Sequence, residues 1–210
     1  MSDTGYFVAP PDRPGPGVLL LPSWWGLTPF WRRTADRLSD EGYSVLAPDL
    51  NFGAVFDDAE AARRHLAGAD ADRLARLTVT AAALLAEKAA AGRIGVVGFS
   101  MGASLGLWAS VRMPDVIGAV VAFYGTQSID FDGSEAAYQL HLADADDLVS
   151  DDDAAFLEAT IGLVGLPLEV FRYPGTSHWF FEADRPSYQP AAARRAWERT
   201  LRFLDAHLGG

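Results

Sequence analysis

The chain has no cysteine among its 210 residues. This absence excludes disulfides, thiolate metal sites and a cysteine nucleophile. Positive charge is also scarce, because 17 Lys and Arg residues stand against 28 Asp and Glu residues and give a formal net charge of −11. An acidic chain repels nucleic acid and anionic membrane surfaces. We therefore expect no nucleic-acid partner and no membrane partner.

Long apolar runs are missing as well. No run reaches the length that spans a bilayer, and Met1–Gly5 lacks the basic and apolar regions of a signal peptide. These absences favour a cytoplasmic protein. Half of the residues are nevertheless hydrophobic, which is enough for a sizeable core. A chain of this length commonly folds as one α/β unit, so we expect residues 1–210 to form a single domain.

Short apolar runs alternate with segments of helical periodicity. The runs at 18–21, 94–97 and 116–123 are continuous, which is typical of strands buried on both faces. Further strands are predicted at 6–9, 43–47, 137–143 and 168–173, and helices at 29–41, 58–66, 71–91, 103–112, 150–164 and the C-terminus. This alternation predicts an α/β fold with a mostly parallel central sheet and helices on both faces.

The segment Gly98–Gly102 reads Gly-Phe-Ser-Met-Gly, between a predicted strand and a predicted helix. A Gly-x-Ser-x-Gly segment in that context is typical of a sharp turn that presents a nucleophilic serine. Side chains at positions 98 and 102 would collide with neighbouring backbone. Ser100 would then project at a helix N-terminus, where backbone N–H groups can stabilise an oxyanion. The alternative is an ordinary glycine-rich turn, but the strand and helix around it favour a nucleophile.

A serine hydroxyl needs a positioned base, and the chain offers four histidines. His65 and His207 lie in predicted solvated helices, and His141 lies within a predicted strand as a core or edge histidine. His178 follows the last predicted strand directly. Because catalytic groups gather at the carboxyl ends of parallel strands, His178 is the predicted base.

The base in turn needs a carboxylate that fixes its tautomer. In this chain order the acid lies between the serine and the histidine. Asp144, Asp146 and Asp147 follow a predicted strand there, and two of the three would be ordinary solvated residues. Asp151–Asp153 are better explained as first-turn residues of a helix. The residue pattern alone leaves the choice among the first three open.

With these residues in view, the sequence resembles the dienelactone hydrolase family of α/β-hydrolases over nearly its whole length. The stretches that carry the resemblance are Val18–Gly26, Glu41–Leu50, Gly98–Gly102, His141–Val149 and Tyr173–Phe180. The resemblance implies the α/β-hydrolase fold. It also implies that Asp146 is the acid, because the family acid stands three residues before a valine, here Val149. It maps the base onto His178 and the two oxyanion amides onto Trp24 and Met101.

Three positions depart from the family pattern. Ser100 stands where the dienelactone-cleaving members have a cysteine, and Ser23 stands where they have a glutamate. Glu182 stands where they have an arginine that holds the substrate carboxylate. We therefore expect the hydrolase chemistry to carry over rather than the substrate, and we expect a charged Glu182 to disfavour anionic substrates.

These observations predict a serine hydrolase with a Ser-His-Asp triad that cleaves a small carboxylic ester or lactone through an acyl-enzyme. We expect no metal or organic cofactor, and a monomer or small homo-oligomer. The candidate substrate-pocket residues are Ser23, Trp25, Phe52, Tyr124, Trp179 and Glu182. Two alternatives remain: a non-catalytic binding protein with the same fold, and a hydrolase of amide, thioester or C–C bonds.

Overall fold

The computed structural model describes residues 5–90 and 92–209. Within them the strands are β1 (Gly5–Val8), β2 (Gly17–Leu21), β3 (Ser44–Pro48), β4 (Ile94–Phe99), β5 (Ile117–Phe123), β6 (Ala137–Ala145) and β7 (Leu168–Ser177). The helices are α1 (Pro29–Asp40), α2 (Ala59–Ala67), α3 (Ala71–Lys88), α4 (Met101–Arg112), α5 (Asp151–Leu163) and α6 (Pro190–Leu208). Two predictions fall on residues outside these ranges. One is the helix end at Ala91, and the other is the absence of a signal peptide, which concerns residues 1–4 in part.

The strands form one sheet in the order β1-β3-β2-β4-β5-β6-β7. The short edge strand β1 is antiparallel to β3, and every other neighbouring pair is parallel. Parallel strands need long crossover connections, which the intervening helices supply. The predicted α/β fold with a mostly parallel sheet is confirmed.

Helices cover both faces of this sheet. Strand β4 shows why, because Val97 and Phe99 point into a core shared with α1 and α6, whereas Ile94 and Val96 point into a core shared with α3, α4 and α5. Successive side chains of a strand face opposite sides, so an apolar strand needs cover on both. Of the helices that the structure describes, none combines the length and apolar character that a bilayer crossing requires.

Two strands run further than the sequence predicts. β6 continues from residue 143 to Ala145, and β7 continues from residue 173 to Ser177. Pro174 lacks the N–H that a ladder uses and therefore suggested an earlier end. β7 is an edge strand, where a proline is tolerated, and a register shift between Ala143 and Ala145 accommodates the extra residues.

The carboxyl ends of the parallel strands meet along one edge of the sheet. Trp24 lies in the loop after β2, Ser100 directly follows β4, and Tyr124 directly follows β5. Asp146 and His178 are the first residues after β6 and β7. The fold thus brings five residues from distant parts of the chain to one crevice, which is where open α/β sheets bind ligands.

Candidate active site

Ser100 occupies a strained turn between β4 and α4. Its backbone has φ 53° and ψ −115°, a region that a residue with a side chain rarely adopts. A Cβ on Gly98 would lie 2.4 Å from the carbonyl oxygen of Gly102, and a Cβ on Gly102 would lie 2.2 Å from that of Leu21. The predicted requirement for glycine at both positions is confirmed, because backbone packs directly on both sides of Ser100.

His178 lies between Ser100 and a carboxylate. Its Nε2 is 2.8 Å from Ser100 Oγ, and its Nδ1 is 2.8 Å from each carboxylate oxygen of Asp146. The side chains of His178 and Asp146 are each only 5% exposed. The backbone N–H groups of Leu148 and Val149 donate to Asp146 Oδ1 and fix its orientation. The three side chains form one continuous hydrogen-bonded chain, as a base-assisted nucleophile requires.

The other candidate acids are engaged elsewhere. Asp144 lies on β6, and its carboxylate accepts a hydrogen bond from the N–H of Gly175. Asp147 is exposed and lines the nearby cavity. Asp151–Asp153 form the first turn of α5, as predicted. Of the three loop candidates, only Asp146 contacts His178 in the described structure.

The remaining histidines match their structural expectations. His141 is fully buried in β6, and its ring nitrogens bond to Tyr173 Oη and Gln139 Oε1. Burial holds the pKa of His141 well below its ordinary value of 6.5, so it is a neutral core residue. His65 is half-buried on α2 and His207 is exposed on α6.

The two predicted oxyanion amides lie where β2 ends and α4 begins. Met101 is the first residue of α4, where N–H groups have no partner within the helix. Trp24 follows β2, and its carbonyl oxygen accepts a hydrogen bond of 2.7 Å from Asn51 Nδ2. The contact between Gly102 and Leu21 packs these two segments against each other. The loop that carries Trp24 is thereby held in place from two sides.

A cavity of about 420 Å³ opens beside His178. Trp25 and Trp179 line it, and its charged lining residues are Arg63, Arg185, Asp57 and Asp147. The two indole rings are 5.2 Å apart in an edge-to-face arrangement. A larger cleft of about 800 Å³, at the opposite end of the sheet, contains none of the predicted site residues.

The structure does not place four of the predicted pocket residues in the lining of this cavity. Phe52 is 46% exposed and lies under the guanidinium of Arg73 instead. It occupies a turn with φ 53°. Ser23, Tyr124 and Glu182 are each fully buried and do not line the cavity. Trp25 and Trp179 are the two that line it.

Glu182, which the sequence predicts to be a charged pocket residue, is instead buried and hydrogen-bonded. Its Oε2 accepts a hydrogen bond of 2.9 Å from Ser23 Oγ, and its Oε1 accepts one of 3.0 Å from Tyr124 Oη. Burial raises the pKa of Glu182 to about 8, so the group is mostly neutral at pH 7. The expected repulsion of anionic substrates by a charged Glu182 therefore loses its basis. Sequence reasoning missed this cluster because 159 residues separate Ser23 from Glu182.

Hydrogen-bond donors without partners gather at the same cavity, which is lined by four of the five residues that carry them. Among the described residues, the buried side-chain polar atoms that lack a partner are Trp24 Nε1, Trp25 Nε1, Trp179 Nε1, Arg185 Nε and Ser187 Oγ. Buried polar groups are normally paired, so donors that gather in one place favour a ligand with oxygen acceptors. Arg63 and Ser187 belong to no motif, and no sequence signal identifies them as cavity residues.

A model of the dienelactone hydrolase family matches residues 4–208 of this chain. The chain belongs to the dienelactone hydrolase family. Protein usf from Aquifex pyrophilus is 28% identical to this family member and covers 96% of it, with 93% of its own length aligned. The carboxymethylenebutenolidase of Rhodococcus opacus is 29% identical and covers 92% of the chain, with 82% of its own length aligned.

Similarity to solved structures identifies the fold of the chain. A crystal structure of a Klebsiella pneumoniae protein, provisionally named a dienelactone hydrolase, superposes with a TM-score of 0.87. It is 21% identical, and the alignment covers 97% of this family member and 92% of the other chain. At that identity the likeness establishes the architecture alone, which is the α/β-hydrolase fold that the resemblance implied.

Proposed function

We propose that this protein is a serine hydrolase that cleaves a small carboxylic ester or lactone through an acyl-enzyme intermediate. The observation that carries the proposal is the 2.8 Å contact between Ser100 Oγ and His178 Nε2, with Asp146 on the other ring nitrogen. Membership of the dienelactone hydrolase family supports this bond type, and so does the name of the Rhodococcus opacus relative, a carboxymethylenebutenolidase.

In the first half-reaction, Ser100 Oγ attacks the carbonyl carbon while His178 Nε2 takes its proton. Asp146 holds the Nδ1–H of the ring and stabilises the imidazolium that forms. The N–H groups of Trp24 and Met101 bind the oxyanion of the tetrahedral intermediate. The C–O bond then breaks, and His178 returns its proton to the leaving oxygen. In a lactone that oxygen stays tethered to the acyl group.

In the second half-reaction, water replaces the leaving oxygen. His178 takes a proton from the water, whose oxygen attacks the acyl carbon and forms a second oxyanion at the same two amides. The bond to Ser100 Oγ breaks, His178 protonates Oγ, and the carboxylic acid departs. A serine hydroxyl, unlike a cysteine thiol, does not ionise readily, so each step depends on proton transfer through His178.

The cavity suits a small substrate that is rich in oxygen. Its volume of about 420 Å³ lies at the lower end of the range for ligand sites, about 300–1,000 Å³. Trp25 and Trp179 offer apolar walls, while their unpartnered indole N–H groups, the Arg185 Nε–H and the Ser187 hydroxyl offer donors. An ester or lactone presents carbonyl and ether oxygens that can accept from them.

The proposed reaction also bears on cofactors, domain number and oligomeric state. Three side chains and two amides account for every proton and charge, so we propose that no metal or organic cofactor takes part. Dialysis against EDTA is then expected to leave the rate unchanged. A single domain acting as a monomer or small homo-oligomer is sufficient, because all five groups come from one chain.

The test combines a fluorophosphonate probe with p-nitrophenyl esters of graded chain length. Ser100→Ala is expected to abolish labelling and to lower kcat by about 10⁴-fold or more. Ser104→Ala is the matched control, because Ser104 lies in the same helix but bonds to the carbonyl of Thr126. A folded Ser100→Ala protein that hydrolyses esters at nearly the wild-type rate would contradict the proposal.

Two outcomes would redirect the assignment. A wild-type protein that neither reacts with the probe nor cleaves any ester would indicate a binding protein with this fold. Faster turnover of an amide, thioester or C–C analogue than of the matched ester would keep Ser100 and His178 in their roles and change the bond.

A further inference from the structure

Glu182 joins three loops at the carboxyl edge of the sheet. Its two carboxyl oxygens bond to Ser23 in the loop after β2 and to Tyr124 after β5. Its own backbone N–H donates to the carbonyl of Trp179, the residue next to His178. All three bonded side chains, those of Ser23, Tyr124 and Glu182, are fully buried. The mechanism above does not use this group.

The bond to Ser23 acts on the proposed oxyanion site. The peptide between Ser23 and Trp24 carries the N–H that binds the oxyanion. On one side of it Glu182 holds the Ser23 side chain, and on the other Asn51 Nδ2 donates to the Trp24 carbonyl. Asn51 is fixed in turn by the Asp49 carboxylate, which accepts from its backbone N–H. The direction of one N–H therefore depends on both anchors.

The bond to Tyr124 acts on the base. The Tyr124 ring lies 4.8 Å from the His178 ring between centroids. Tyr124 has φ 36°, an unfavourable value for a residue with a side chain. The bond from its hydroxyl to Glu182 and the bond from its N–H to the His141 carbonyl hold it there. The phenol ring is thus a fixed wall for the imidazole.

We propose that Glu182 is a positioning residue for ester hydrolysis, whose carboxyl group fixes the Ser23–Trp24 peptide and the Tyr124 ring at once. The inference rests on the proposed function. In the family pattern a glutamate stands at the position of Ser23 and an arginine at that of Glu182. In this chain a carboxyl group reaches the same place from the other position.

The surroundings of Glu182 make the neutral carboxylic acid its working form, in which one carboxyl oxygen accepts from Tyr124 Oη and the protonated oxygen donates to Ser23 Oγ. Burial and the nearby Asp184 raise its pKa, while hydrogen bonds from Ser23 and Tyr124 and the charge of Arg185 lower it, for a pKa of about 8. Above that pH, a negative charge forms behind the site where the oxyanion develops, and like charges repel. Burial also raises the pKa of Tyr124 well above 10, so the phenol stays a donor throughout.

Three variants and a control test the proposal. Glu182→Ala and Ser23→Ala are expected to lower kcat by about 10-fold to 100-fold with KM changed less than about 3-fold, since oxyanion stabilisation acts in the transition state. Glu182→Gln is expected to stay within about 5-fold of wild type, because its amide can accept from one hydroxyl and donate to the other. Thr28→Val is the control, because Thr28 bonds to Asp184 and tethers the same two segments without touching that peptide.

The pH profile separates positioning from general structural support. Wild-type kcat is expected to fall near pH 8 as Glu182 ionises, and the Glu182→Gln profile is expected to lack that fall. The proposal is overturned if folded Glu182→Ala has the kcat of Thr28→Val, or if Glu182→Gln keeps the alkaline fall. If Glu182→Ala does not fold, Ser23→Ala decides alone by the same comparison.

Failure here is distinct from failure of the proposed function. If wild type hydrolyses esters in a Ser100-dependent way while the Ser23 and Glu182 variants match the control, only the positioning role is wrong. If Ser100→Ala remains active, the assigned chemistry itself is wrong, and the positioning role falls with it.

Discussion

Ala145 of β6 pairs with Ser177 of β7, at the end of a ladder that shifts register after Ala143. The first residues after these two strands are Asp146 and His178, which are hydrogen-bonded to each other at the site. Neighbouring parallel strands lie about 4.8 Å apart, so this pairing alone brings the carboxylate within reach of the imidazole. The register shift is therefore part of the site's construction.

Asp146→Asn is expected to lower kcat by about 10³-fold to 10⁴-fold, because an amide beside Nδ1 favours the wrong His178 tautomer. Asp147→Asn and Asp144→Asn are expected to stay within about 5-fold, since neither residue contacts His178. Steady-state hydrolysis of one p-nitrophenyl ester by the three variants compares them directly. Should Asp144→Asn be the inactive protein, the assignment of the acid is wrong.

The cavity is expected to accept a substrate that bears a carboxylate at least as well as its neutral analogue. Arg185 lines the cavity with its Nε unpartnered, while its Nη2 pairs with Asp184 at 3.3 Å, and the buried carboxyl group of Glu182 is mostly neutral. The measurement is kcat/KM for a methyl ester and its ω-carboxylate counterpart. Arg185→Met is expected to lower the value for the anion about 10-fold and to change that for the neutral ester less than about 3-fold.

Arg64→Met supplies the control for net charge in that comparison. Arg64 is exposed on α2, pairs with Glu60 and does not line the cavity. If wild type prefers the neutral ester and Arg185→Met leaves that preference unchanged, Arg185 does not bind the substrate carboxylate.

Stability is expected to fall with rising pH through Glu182. Because its pKa rises from an ordinary 4.5 to about 8 on folding, the folded state binds the proton more tightly. The resulting stabilisation is full below about pH 4.5 and is lost as pH rises through 8. A shift of this size corresponds to about 5 kcal/mol over the whole range, since one pKa unit corresponds to about 1.4 kcal/mol.

Urea unfolding of wild type and Glu182→Gln between pH 5 and pH 9 measures this effect. The free energy of unfolding of wild type is expected to decline relative to that of the variant over this range. Burial lowers the pKa of His141, so this residue also makes stability depend on pH. It is present in both proteins, and its contribution cancels when their free energies of unfolding are subtracted. A difference between the two that stays constant with pH would contradict the assigned shift.

Gly102→Ala is expected to destabilise the fold by about 1–3 kcal/mol or more, because its Cβ would meet the Leu21 carbonyl at 2.2 Å. Gly162→Ala is the matched control in α5, where nothing lies within 4 Å of the added Cβ. It is expected to stabilise by about 0.5–1 kcal/mol through helix propensity. Urea midpoints at one pH compare them, and equal effects would mean that the close approach at the turn is absent.

Local signals predicted much of this molecule. The strand, turn and helix around Ser100 lie within about twenty consecutive residues, so the sequence could identify the elbow, and the position of His178 followed from strand order. Asp146 was one of three candidates until a family resemblance selected it. The pairing of Ser23 with Glu182 and the donors at Arg185 and Ser187 depend on contacts between distant segments, which no local pattern encodes.

The position of β7 at the edge of the sheet has a consequence for inactivation. Ser100 follows β4, which is buried and paired on both sides, whereas His178 follows β7, which is paired on one side and has only two buried residues among ten. Exposed edge segments open at lower free energy than the core. Mild denaturant would therefore detach the proposed base from an intact turn at Ser100, and activity would disappear before Trp31, which packs against Phe99 of β4, becomes exposed.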